Sequence, residues 1–324
     1  MSHQYQKLSV AVLLIIAGLL FIGFSMAGDS HSDYLQKYGP VQKIDLTEPD
    51  ANDESAMSTA LPRDDQIRVA IAPVISPIKS FEIYESMVDY IGKKLNRTPI
   101  FLQRRTYAEV NDLVRFRQCD MAFVCTYAYV RGADEFGMEL LTAPRVNGKL
   151  QYNSYIIVPL NSSAESLGDL EGRSFASADL MSTSGWLWPM LWLKENAKDP
   201  ESFFSEHIIT GSHDNSIFAV ASGTVAGAAV DSIVYDQAVK DDPELETKVK
   251  IIQTSPPFGM PPFVVPKQLD PALKEALLNI LLNMHEDEQG REILANLRID
   301  RFEMVTDESY DSVREAIRLT EGAL

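Results

Sequence analysis

Cysteine and histidine are scarce in this 324-residue chain, two of the first and five of the second. Both cysteines, Cys119 and Cys125, lie in "CDMAFVC". On a strand rising about 3.3 Å per residue their Cα atoms stand roughly 20 Å apart, far beyond the ~4.4–6.8 Å that a disulfide spans. Two buried free thiols are expected, even in an oxidising compartment. No metal-ligand constellation and no nucleotide fingerprint runs along the sequence, so no cofactor is implied. Positive charge is also in deficit: 29 Lys and Arg stand against 46 Asp and Glu, for a net charge of -17 and a pI near 4.7. That argues against general nucleic-acid binding, which needs a basic footprint. It leaves room for a small anion held by a local cluster of donors. No internal repeat of fixed period is visible.

What is present begins with an address. Lys7 precedes "LSVAVLLIIAGLLFIGF" (8–24), an uninterrupted run of apolar and small residues. Ser25 and Ala27 occupy the small-residue positions that signal peptidase requires. The run is long for a secretory core and nearly long enough to span a bilayer, so residues 1–27 read as a signal peptide or a membrane anchor. Either one takes the following chain out of the cytoplasm, to the periplasm or the extracellular face of the membrane. No cysteine follows the run, which gives no support to a lipid-anchored N-terminus. Residues 28–65 are polar and acidic with no sustained apolar period, a linker by composition. If the anchor is retained, this linker reaches roughly 35 Å.

From residue 66 short apolar strands alternate with amphipathic helices. "IRVAIAP" reads as a buried strand, and Phe81, Tyr84, Met87, Val88 and Ile91 then recur at helical spacing. "TPIFLQRR", "CDMAFVC", "HIITG" and "AGAAVDS" are further strands, each followed by a helical pattern; "QYNSYIIVPLNSS" (151–163) is a longer extended run. This alternation predicts an α/β fold with mostly parallel sheets covered by helices on both faces. The plausible architecture is two lobes in a binding domain 66–324. Lobe 1 takes about 66–155 and 256–324, lobe 2 about 156–255, and the chain crosses between them twice. In such sheets ligands sit at the carboxyl ends of the strands.

One such end carries "STSG", Ser182 to Gly185, before the apolar run "WLWPMLWLKE". A single hydroxyl suffices to cap the helix. Three leave some unexplained, and a helix start is where an anion meets backbone N–H groups and the positive end of the dipole. "STSG", "GSHDNSIFAVASGTVAGAAVDS", "CDMAFVCTYAYV" and "TSPPFGMPPFVV", taken in that company, resemble the phosphonate/phosphite/phosphate-binding proteins of ABC transporters, which are type 2 periplasmic binding proteins. The resemblance covers roughly residues 67–305. It implies two α/β lobes closing over a small oxyanion at a hinge of two crossing segments, with an ABC transporter permease as partner. The inner membrane is a further partner if the N-terminal segment is retained.

On this resemblance Ser182, Thr183, Ser184 and the Gly185 backbone form the anion-binding helix start, and three hydroxyls suit a ligand with three terminal oxygens. His213 matches the ligand-contacting histidine. Asp231, ending the strand of "AAVDS", would accept from a P–OH group or an ammonium; its bland role is to cap the next helix. Tyr129 matches the tyrosine after the third strand of lobe 1. Tyr127 stands where relatives often have glycine, and either ring could instead be core. Trp186, Trp188 and Trp192 are read as packing.

Two rival readings stay open at this stage. One is an exported hydrolase using Ser184, His213 and Asp231. Against it, position 182 is serine where the G-x-S-x-G elbow needs glycine, and the order Ser, His, Asp differs from that fold's Ser, Asp, His. The other is a binding module that signals to a membrane sensor.

Overall fold

The computed structural model describes residues 65–321. The apolar run 8–24, read as signal or anchor, and the acidic linker as far as residue 64 lie outside the described residues. Among those described, no helix is long and apolar enough to cross a membrane.

Lobe 1 opens with β1 (Gln66–Ile71), α1 (Pro77–Leu95), β2 (Thr98–Gln103), α2 (Tyr107–Arg115), β3 (Met121–Phe123), α3 (Thr126–Phe136) and β4 (Glu139–Arg145). Each helix has a local reason to start and stop. Pro77 sits in the first turn of α1, where its missing N–H is no loss, and Asn96 ends that helix in the left-handed conformation (φ 52°). At α2, Thr106 and Glu109 exchange side chain-to-backbone hydrogen bonds in a capping box. The buried residues Met87, Val88 and Ile91 turn α1 onto the sheet.

The chain crosses over through β5 (Gln151–Tyr152). Lobe 2 then runs β6 (Ser154–Pro159), β7 (Ser174–Ser177), α4 (Trp188–Glu195), β8 (Glu206–Ile209), α5 (His213–Ala221), β9 (Gly227–Asp231), α6 (Ser232–Asp241) and β10 (Val249–Thr254). A return crossing at β11 (Phe258–Gly259) leads back to lobe 1 through β12 (Phe263–Val265), α7 (Pro271–Leu282), α8 (Glu288–Leu297), β13 (Arg301–Glu303) and α9 (Asp311–Glu321).

The lobe 1 sheet has the order β13-β4-β12-β3-β1-β2, and the lobe 2 sheet β10-β6-β9-β7-β8. The expected mostly parallel pairing needs correction. β1 is parallel to β2 and β3, and β7 to β8 and β9, but β12 and β6 each enter antiparallel to their neighbours. β12 and β6 each follow a crossing: they arrive from the cleft side, so they run against the strands whose carboxyl ends face it, and the edge strand β13 is a third antiparallel strand, paired with β4. The extended run expected over 151–163 is likewise broken at Asn153 and stops at Pro159.

The two crossings pair with each other, Tyr152 opposite Phe258 and Gln151 opposite Gly259. Asn153 Nδ2 donates to the Ser255 carbonyl at 2.8 Å, and the Ser154 N–H to Ser255 Oγ at 2.8 Å. α9 packs on α3 of lobe 1 and on α4 of lobe 2, so the last helix bridges the lobes beside the hinge. Cys119 and Cys125 are buried free thiols.

Candidate functional site

Five helices, α2 to α6, begin where strand carboxyl ends of the two sheets face each other across the cleft. Their N-terminal residues are Tyr107, Thr126, the 183–187 turn ahead of α4, His213 and Ser232. Backbone N–H groups without helical partners and the positive ends of the dipoles converge there. Such a site can hold an anion without a cationic side chain.

Ser182, Thr183 and Ser184 divide the work between them. Ser182 is the cap: its Oγ accepts from the Gly185 N–H at 2.9 Å. The turn 183–187 is wound as a wide π-turn, with the Leu187 N–H reaching the Ser182 carbonyl at 2.9 Å. Thr183 is the bridge. Its Oγ1 lies 2.5 Å from Thr126 Oγ1 and accepts from the Tyr127 N–H at 2.8 Å, both across the cleft. Ser184 holds its carbonyl on the Ser154 hydroxyl at 2.6 Å, while its own Oγ is buried with no hydrogen-bond partner. A Cβ at Gly185 would stand 3.0 Å from Ser182 Oγ and 3.1 Å from His213 Cε1. The glycine therefore lets the turn and the imidazole meet.

His213 is 1% exposed. Its Nδ1 accepts from the Asp231 N–H at 3.1 Å, which puts the proton on Nε2, 3.3 Å from Ser182 Oγ. Burial pulls its pKa down to about 3, so the ring is neutral at physiological pH and acts as a donor. A hydrolytic relay through Ser184, His213 and Asp231 does not form. Nδ1 faces a main-chain N–H where a relay needs the carboxylate, and Nε2 already carries the proton that a general base must accept.

Asp231 caps α6, its Oδ1 accepting from the Ile233 and Val234 N–H groups at 2.7 and 3.3 Å. Burial pushes its pKa up to about 7, and the two N–H groups only partly offset this. The capping role and the place in the cleft thus coexist in one side chain.

Of the two tyrosines, Tyr127 joins the cluster through its backbone, and its ring is buried. Tyr129 is not brought to it by its hydroxyl. That group donates to Asp307, which Arg314 also holds, and the ring packs on Tyr310 with centroids 4.8 Å apart. Residues to which the sequence reading assigned no role take its place. The Tyr107 hydroxyl is buried without a partner, and its N–H donates across the cleft to Asp179 Oδ2 at 3.1 Å. Burial, then the nearby Cys125, Asp179 and Asp231, raise the Tyr107 pKa. The Tyr152 hydroxyl lies 3.2 Å from Thr126 Oγ1. Tyr107 and Thr126 open helices that follow strands, the same signal that pointed to His213. Tyr152 lies in the crossing and carries no such signal.

The lobes are closed. His213 donates its N–H to the Val74 carbonyl at 3.0 Å, and Asp214 Oδ1 accepts from the Ser76 N–H at 2.9 Å. On the α6 side Arg298 bonds the Gln237 carbonyl at 3.1 Å and pairs with Asp241. Among the described residues no group of His, Cys, Asp and Glu is arranged to hold a metal ion.

Two mixed sheets, two paired crossings and a closed cleft ringed by helix starts define a two-lobed solute-binding protein of the periplasmic type. Residues 69–310 match the family model described as "ABC transporter, phosphonate, periplasmic substrate-binding protein", and the chain belongs to that family, whose members carry solute for transport. It is 24% identical over 214 residues to a phosphonates-binding periplasmic protein of Escherichia coli, a match spanning 64% of this chain and 63% of that one. It is 26% identical over 290 residues to a phosphate-import protein of Mycolicibacterium smegmatis, covering 83% and 90%. Among solved structures, a phosphonate-transporter binding component from Pseudomonas aeruginosa superposes with a TM-score of 0.74 at 22% identity, over 79% of this chain and 86% of that one. A Prochlorococcus marinus protein in complex with methylphosphonate gives 0.72 at 18%, over 80% and 100%.

Proposed function

We propose that this protein captures a phosphorus oxyanion, phosphate, phosphite or a phosphonate, between its lobes outside the cytoplasm and delivers it to the permease of an ABC transporter. The carrying observation is the pair of buried hydroxyls without partners, Ser184 Oγ and Tyr107 Oη, at the meeting of the helix starts. Leaving such groups unmet costs about 1–3 kcal/mol each, and an oxyanion satisfies both. Ser182, Thr183, Ser184, the Gly185 turn, His213 and Asp231 form the ligand-binding set, with Tyr107 and Tyr152 completing the lobe 1 side. The neutral His213 gives an Nε2–H, and a protonated Asp231 has a second donor to give. Tyr127 serves through its backbone, and Tyr129 acts at a distance as part of the packing of α9. The apolar segment 8–24 supports export, cleaved or kept as an anchor.

Calorimetric titration of the whole chain in mild detergent, stripped of ligand by unfolding and refolding, tests this reading. Phosphate, phosphite, methylphosphonate and sulfate form the panel. Binding of one phosphorus oxyanion is expected, weakened tenfold or more by His213→Ala without loss of the folded state. An unchanged affinity in His213→Ala would remove the site assignment. Silence across the panel would remove the ligand class.

A further inference from the structure

The turn that carries Ser184 is out of regular register, and the register slips at Trp186. The Trp186 N–H and the Leu187 N–H both reach the Ser182 carbonyl, at 3.1 and 2.9 Å, the first across four residues and the second across five. Such widened turns concentrate at functional sites. In regular geometry a serine hydroxyl can turn back onto a carbonyl of the preceding turn; here Ser184 Oγ is left without a partner. A turn held in this form needs a hold. Two of the five histidines of the chain touch it. His213 meets it at Ser182. His207, on β8, meets it at Trp186: the two rings are stacked, 20° from parallel with centroids 4.9 Å apart. The His207 ring is itself fixed. Its Nε2 lies 2.7 Å from Ser177 Oγ, and Ser177 is the fully buried last residue of β7, the strand that leads into the turn. Phe175 and Phe204 pack edge-on against the imidazole at 5.6 and 5.2 Å and stack on each other at 4.3 Å. Burial pulls the His207 pKa down to about 4, so the ring is neutral at physiological pH.

We propose that His207 is a positioning residue for solute capture: by clamping the Trp186 ring to β7 through Ser177, it keeps the 183–187 turn wide and the Ser184 hydroxyl free for the ligand. The inference rests on the oxyanion reading above and deepens it. His207 acts through Trp186, two residues after Ser184. A binding group works only when its neighbours lock its direction, and Ser184 has no hydrogen bond of its own to lock the hydroxyl. The clamp supplies that lock from the strand behind. Both halves are needed: the hydrogen bond orients the imidazole, and the imidazole face holds the indole.

The test titrates the full chain in mild detergent with phosphate and methylphosphonate, beside thermal melting. His207→Gln keeps a hydrogen-bonding group for Ser177 and removes the ring. It is expected to weaken the tighter-bound of the two ligands about tenfold, the upper range for one aromatic pair. Trp186→Leu removes the other half of the stack and is expected to cost the same. Because the two rings act as one clamp, the double variant should lose no more than the worse single variant. His207→Phe keeps a ring under the indole and abandons Ser177, so it is expected to melt lower while holding affinity within about threefold. Should His207→Gln fail to fold, Trp186→Leu set against His207→Phe makes the same comparison. A residue that serves folding alone would move the melting temperature in these variants and leave the affinity of the folded protein unchanged, and that result would overturn the clamp. Additive losses in the double variant, or a loss in His207→Phe as large as in His207→Gln, would overturn it as well. Each of these outcomes leaves the oxyanion reading standing. No binding of either ligand by the parent would overturn the oxyanion reading, and the clamp with it.

Discussion

Ser184 and Asp231 are buried polar side chains, the first with an unpartnered hydroxyl and the second capping α6. The Ser184 hydroxyl has no partner, so removing it relieves a desolvation cost of about 1–3 kcal/mol. Ser184→Ala is expected to melt at the same temperature as the parent or higher, while ligand affinity falls tenfold or more. A lowered melting temperature would show that the hydroxyl is satisfied in the free protein. Asp231 answers to pH. Its folded pKa of about 7 stands above the ordinary carboxylate value of 3.8, so its contribution to stability is full below about pH 4 and lost as pH rises through 7. His213 has the opposite sign: its folded pKa of about 3 lies below 6.5, and its contribution is lost as pH falls toward 3. Comparing Asp231→Asn with the parent isolates the first effect, because asparagine caps a helix as well as aspartate. The variant should gain stability relative to the parent between pH 5 and pH 8. Ligand affinity of the parent should drop on crossing pH 7, and that drop should flatten in the variant. Parallel stability profiles would mean that Asp231 titrates near its ordinary value.

At the scale of elements, the turn before α4 is where the helix start departs from regular geometry. A regular α-turn at 183–187 would carry its first N–H bond back four residues; the π-turn carries it five, which widens the ring at the point where Ser184 projects. Gly185 permits this because its missing Cβ leaves room for Ser182 Oγ, the Ala178 N–H and His213, all within 3.1 Å of where that Cβ would stand. Gly185→Ala is expected to destabilise the domain by about 1–3 kcal/mol and to displace the imidazole. Thermal melting and titration together check it: an unaltered melting temperature with unaltered affinity would show that the turn yields without consequence.

At the scale of the whole molecule, hydrogen bonds between the lobes hold the closed arrangement. Asp214 in lobe 2 accepts from Ser76 in lobe 1 at 2.9 Å, and Lys79 comes within 3.8 Å of the same carboxylate. None of the three belongs to the oxyanion cluster. Asp214→Ala is expected to lower the closed fraction of the free protein. Apparent affinity falls by that fraction whatever the ligand, so every ligand in the panel should weaken three- to tenfold with the ranking unchanged. Small-angle scattering should show a larger radius of gyration without ligand and the parent's value with it. A changed ranking would mean that Asp214 shapes the site itself.

Much of this was legible along the chain because the signals are local. Apolar period sets strand and helix, hydroxyl and carboxylate residues mark helix starts, and a strand's carboxyl end marks the cleft. Ser182, Thr183 and Ser184 were read by that route as a helix start, whereas a ligand role for His213 and Asp231 came from the family resemblance. Tertiary structure alone decided what each of them does. Thr183 meets Thr126 from 57 residues away, and the Ser184 carbonyl meets the Ser154 hydroxyl from 30. The tautomer of His213 depends on the Asp231 N–H, 18 residues away. Tyr129 turned out to serve Asp307, 178 residues distant, and Tyr107 came in from lobe 1 to face the cluster. Nor does any local pattern show that a strand entering from a crossing must run antiparallel. Pairings of that kind are set by the order of strands in the folded sheets, and a hydrogen bond has no trace in sequence until both of its partners are in place.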